Sequence, residues 1–108
     1  MKRRSITETR LWTGLAEVRQ RPGTAVLMDR NEAIVNVVGV SESKSAFEAR
    51  VQTACDSLGF DLVELEDVES LAARAGSRGL SDLLETLAHR AEESGEIEFG
   101  PFHTWRSP

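Results

Sequence analysis

Residues 33–65 read AIVNVVGVSESKSAFEARVQTACDSLGFDLVEL, and the reading of this stretch decides the fold. Ala33 to Val40 is nearly continuous in apolar, mostly β-branched residues, the composition of a strand. Ser41 to Ser45 follows, and a serine side chain there can accept from the free amides at a helix start. Phe47, Val51, Ala54, Cys55 and Leu58 then recur at helical spacing and form one apolar stripe. Gly59 stands where a residue of positive φ closes a helix. Phe60 to Leu65 is strand-like again. Strand, helix and strand in this order predict a crossover between two parallel strands, either adjacent or with one strand inserted between them.

Working outward toward the N-terminus, Arg10 to Val18 reads as a strand carrying Trp12 and Leu15. Arg21-Pro22-Gly23 is a turn, because Pro fixes φ and Gly tolerates positive φ. Thr24 to Met28 reads as a second strand, and Asp29 to Glu32 as a polar hairpin loop. Toward the C-terminus, Asp67 is a candidate cap for a short helix through Val68, Leu71 and Ala72, broken by Gly76 and Gly79. Leu80, Leu83, Leu84, Leu87, Ala88 and Ala91 repeat the helical stripe, and Gly95 ends it. Glu96 to Phe99 starts a last strand, which Phe102 to Trp105 continues beyond a bend at Gly100-Pro101.

The expected order is β-β-β-α-β-α-α-β in one domain spanning residues 1–108, with residues 1–8 as a loose basic arm. The first three strands, joined by short turns, should form an antiparallel meander. The fold class is therefore α+β, a two-layer sandwich on a mainly antiparallel sheet of about five strands. A ferredoxin-like arrangement is one candidate, and at the level of element order it carries no function with it.

The chain has 108 residues, with 13 Lys+Arg against 18 Asp+Glu, a net charge of −5, and 40% hydrophobic residues. Those values fit a single globular domain and argue against collagen, coiled coil, disordered tail or disulfide miniprotein. Cys55 alone cannot make an intrachain disulfide, which fits a reducing compartment. The basic start Met1-Lys2-Arg3-Arg4 runs into Thr7, Glu8, Thr9 and Arg10 rather than into an apolar run, so no secretory signal is expected. No apolar stretch is long enough to span a membrane. Cytoplasmic location is the default expectation. Arg far outnumbers Lys and Tyr is absent, as codon bias in a GC-rich, bacterial genome would produce.

The charge is unevenly distributed. Residues 1–30 hold 7 bases and 3 acids (+4), and residues 31–108 hold 6 bases and 15 acids (−9). The acids form two clusters. One is Asp61, Glu64, Glu66, Asp67 and Glu69; the other is Glu92, Glu93, Glu96 and Glu98. Both faces of the central strand are apolar, with Ala33, Val35 and Val37 on one and Ile34, Val38 and Val40 on the other. The first helix can cover one face. A later helix, a second copy of the chain or an apolar ligand must cover the other, because large exposed apolar patches are rare on monomers.

The sequence contains no phosphate-binding glycine loop and no nucleophile elbow. Cys55 lies on an apolar stripe beside Asp56, a setting for an inert thiol. Glu85, His89 and Glu93 share a helix face without a second ligand-rich segment, so no metal and no cofactor are expected. Net acidity disfavours nucleic acid. Two function classes follow. The first is a non-enzymatic interaction protein, such as an immunity- or antitoxin-like inhibitor of a basic protein partner, using Glu64, Glu66, Asp67, Glu69 and Trp12, with a homodimer through a sheet face as a further expectation. The second is a small-molecule-binding domain or small enzyme using the second sheet face as a pocket, with Asn36, His103 and Trp105 as ligand contacts.

Overall fold

The computed structural model describes residues 10–24, 26–27 and 30–105. The expected N-terminal arm lies outside them. The chain forms β1 (Leu11–Gln20), β2 (Glu32–Val40), α1 (Lys44–Leu58), β3 (Phe60–Ser70), α2 (Leu71–Arg78), α3 (Asp82–Ser94), β4 (Glu98–Phe99) and β5 (His103–Trp105). Among the described residues five strands build one antiparallel sheet in the order β3-β1-β2-β4, with β5 also pairing with β2. The α+β class and the mixture of elements are as the sequence predicts. β2 and β3 both run antiparallel to β1. They are therefore parallel to each other, and α1 joins them across the inserted β1, a split β-α-β unit.

The local signals explain most boundaries. Ser43 caps α1 by accepting from the Ala46 amide, and Gly59 closes it at φ 84. A Cβ at Gly59 would stand 2.4 Å from Thr24 Oγ1, so the position needs glycine on both counts. Two expectations are corrected. The stretch expected as a second strand is turn at Val26 and Leu27, and residues 25, 28 and 29 lie outside the described residues. Val26 is exposed there, and only Leu27 serves burial. Leu27 is 4% exposed in the core, and its amide donates to Gln20 Oε1. Asp67 does not cap a helix. It lies within β3 at φ 53, and Ser70 caps α2 by accepting from the Ala73 amide.

The helices cover the sheet unequally. On the first face, Phe47, Val51 and Cys55 of α1 pack with Ala16, Val18, Val35, Val37 and Phe60. On the opposite face, Leu11 and Val38 pack with Leu71 of α2 and with Leu84, Leu87, Ala88 and Ala91 of α3. The second and third helices thus wrap round and add a third layer at one end of the sheet. Leu15 and Ile34, farther along the same face, belong to neither packed cluster.

Candidate functional site

The end of the second face that lies outside the packed clusters of the described residues is defined by strand register. Side chains directly opposite each other in an antiparallel pair share a face. Leu15 lies between Asn36 of β2 and Glu66 of β3, Glu17 between Ile34 and Glu64, and Arg19 between Glu32 and Asp61. β5 extends two of these rows, with His103 opposite Ile34 and Trp105 opposite Glu32. Glu64, Glu66, Asn36, His103 and Trp105, which the sequence offered to two different functions, therefore stand on one sheet face. At its centre, Leu15 and Ile34 were read from the sequence only as apolar strand residues, and Glu17 was not singled out. The alternation of Leu15, Glu17 and Arg19 against buried Ala16 and Val18 was the available signal.

Not every carboxylate here is free to bind. Glu32 is 6% exposed. It accepts from Arg19 Nη2 and from Trp105 Nε1, both at 3.1 Å. Such partners are what allow a carboxylate to be buried. Trp105 is thus tied to the sheet. Glu69 is engaged by Arg78 and, at 3.9 Å, by Arg74. Arg21 bridges Asp56 and Asp61, which holds its guanidinium above its ordinary pKa. Bases from the N-terminal part thereby meet the chain's own acids. Glu17, Glu64, Glu66 and Asp67 have no side-chain partner among the described residues. Glu17 and Glu64 face each other across the β1–β3 ladder, a like-charge pairing that works against the sheet.

Trp12 sits on the first face. It is half-buried against the α1 core, and its Nε1 donates to the Ser41 carbonyl at 3.1 Å, so its indole secures the fold. Asn36 lines a recess of about 140 Å³ together with Thr13, Leu15, Asp67, Arg74 and Arg78. That is below the roughly 300 Å³ at which ligand pockets begin. His103 and Trp105 do not line it. Among the described residues no three His, Cys, Asp or Glu side chains are placed to hold a metal ion. None of the described helices is long and apolar enough to cross a membrane.

A larger cleft, about 500 Å³, opens on the first face between α1 and the segment leading into β4. Ala54, Leu58, Ile97 and Phe99 form its apolar walls, and Arg50 and Glu96 its polar ones. Arg50 donates to the carbonyls of Val40 and Gly95, so its guanidinium ties this segment to the sheet. Cys55, one turn from the cleft wall, is fully buried, and burial together with neighbouring Asp56 pushes its thiol up to about 11.

No family model, curated protein or solved structure matches the chain.

Proposed function

We propose that this chain is a non-enzymatic interaction protein that binds a basic protein partner through the uncovered end of its second sheet face, in the manner of an immunity- or antitoxin-type inhibitor acting in the cytoplasm. The observation that carries this reading is the set Glu17, Glu64 and Glu66. These three carboxylates lack side-chain partners among the described residues and surround Leu15 and Ile34, which are half-buried and belong to neither packed cluster. Apolar centre and charged rim are the anatomy of a protein interface. Unpaired carboxylates also steer a cationic partner into encounter. A second copy of the chain is disfavoured at this face, because a two-fold contact brings the same acids against themselves. The acids repel nucleic-acid phosphates in the same way. The small-molecule reading has at Asn36 a recess of about 140 Å³, small for a ligand pocket.

The test is capture of partners from the source cytosol by three immobilised proteins. These are the wild type, the variant Glu17→Gln/Glu64→Gln/Glu66→Gln, and a control with the same charge change at Glu92, Glu93 and Glu96. A basic protein should be retained by the wild type and the control at low salt, lost from the first variant, and released as salt shortens the screening length to about 3 Å near 1 M. Equal retention by all three, or retention that ignores ionic strength, overturns the proposal.

A further inference from the structure

The remaining question is what kind of element the partner brings to this face. Strand addition and face docking are the two physical options for a sheet. The sheet edge at β3 is poorly suited to addition. Its register against β1 shifts twice, between Glu17/Val18 and between Thr13/Leu15, and Asp67 adopts a left-handed conformation in the second shift. Bulges of this kind interrupt the row of backbone donors and acceptors that an added strand would read. The edge on the other side is made of β4 and β5, only 2 and 3 residues long and separated at Gly100-Pro101, which offers an added strand no continuous ladder. The face is different. The apolar packing of α2 and α3 ends near the row of Thr13 and Val38, Arg74 and Arg78 of α2 border the row of Leu15, and the rows of Glu17 and Arg19 continue beyond. From Leu15 to Arg19 the open face runs for about 14 Å along the strands. Four strands span roughly 15 Å across them at the usual spacing. A helix is about 10–12 Å wide, and three turns of it are about 16 Å long.

Resting on the reading given above, we infer that the partner element is a basic amphipathic helix. It docks across the strands beside α2 and continues the helical layer that stops there. Its apolar stripe seats on Leu15 and Ile34, and its Lys or Arg residues flank the stripe to meet Glu17, Glu64 and Glu66. The charge left unpaired on the chain selects a cationic helix over a second acidic copy. The patch is smaller than the roughly 800 Å² per partner of a stable interface. An isolated helix therefore binds weakly, and the remaining affinity of the whole partner comes from contacts around it.

The inference is tested on the full-length, ¹⁵N-labelled protein with three synthetic peptides of matched charge. The first is a Leu/Lys sequence with helical periodicity, the second its scrambled version, and the third an alternating Val/Lys sequence that favours strand. The helical peptide should shift the amides of Leu15, Glu17, Ile34 and Glu64 and the indole of Trp105. Ile34→Ser should weaken its binding by about tenfold while leaving the spectrum of the free protein otherwise intact. Equal shifts from the scrambled peptide overturn the helical element and leave the acidic docking face standing. Shifts confined to β3 with the strand peptide replace the helix by strand addition. No shift on this face with any peptide overturns the helix. If partner capture is also indifferent to the Glu→Gln changes, the docking face falls with it.

Discussion

The two faces of β2 make the most informative comparison in the molecule. Ala33, Val35 and Val37 point to one side and are fully buried, while Ile34 and Asn36, their immediate neighbours in sequence, point to the other and are only half-buried. Over residues 33–37 the strand is core on one side and only partly buried on the other. The difference is set by the helices. α1 crosses the first face and seals it with Phe47, Val51 and Cys55. α2 and α3 reach only one end of the second face, and the strands keep their charges where the helices stop. An apolar residue beside unpaired carboxylates there is only partly buried, and its remaining exposed surface can take part in recognition.

The comparison breaks first at its energetic contrast. Phe47→Ala removes a fully buried ring from the sealed face and should cost about 3–5 kcal/mol. Ile34→Ala on the other face should cost less, about 1–2 kcal/mol, since that side chain is only partly buried and is outside both packed clusters. Urea denaturation of both variants measures the gap. Equal losses would mean that the second face is as sealed as the first.

Gly59→Ala attacks the joint that sets α1 over the sheet. The left-handed backbone and the approach of Thr24 together should destabilise the fold by about 1–3 kcal/mol, again read from denaturation midpoints. A neutral result would show that this corner relaxes freely.

Cys55 gives a pH test of burial under α1. Its thiol pKa is raised from an ordinary 9.0 to about 11. In that interval the unfolded chain has lost the proton and the folded one retains it. The associated stability is therefore present below about pH 9 and is lost as pH rises toward about 11. Cys55→Ala should flatten that decline. The native thiol should also resist alkylation near neutral pH and react only on unfolding.

The smallest effect is the most specific to the open face. Glu17→Gln removes a like-charge pairing with Glu64 and should stabilise the fold by a few tenths of a kcal/mol. The same change should weaken partner binding. A mutation that improves folding while harming binding marks a residue kept for recognition rather than stability.

The sequence was most legible where one signal sufficed. Phe47, Val51 and Cys55 are buried on α1 as their spacing requires, and Ser43 and Gly59 close the helix as cap chemistry predicts. Leu58, from the same stripe, is 38% exposed, because the last turn borders the cleft. Apolar residues at Val26 and Leu27 misread as strand, since periodicity cannot distinguish a ladder from a loop that inserts a side chain into the core. The extension of β3 through Glu66, Asp67 and Glu69 was hidden for the opposite reason. Its residues are charged, and it bends at a left-handed Asp where no glycine marks the place. In the site, the acids of β3 were visible as a cluster. Their sorting was not, because Glu69 is satisfied by arginines of α2 and Glu64 faces Glu17 only through the β1–β3 register.

The most direct test is a hydrogen-exchange footprint of the chain in complex with the basic protein it retains. Protection should appear over residues 15–19, 32–36 and 61–66, with the α1 side of the molecule unchanged. Protection centred on α1 and the segment leading into β4, with exchange over residues 15–19, 32–36 and 61–66 unchanged, would contradict it.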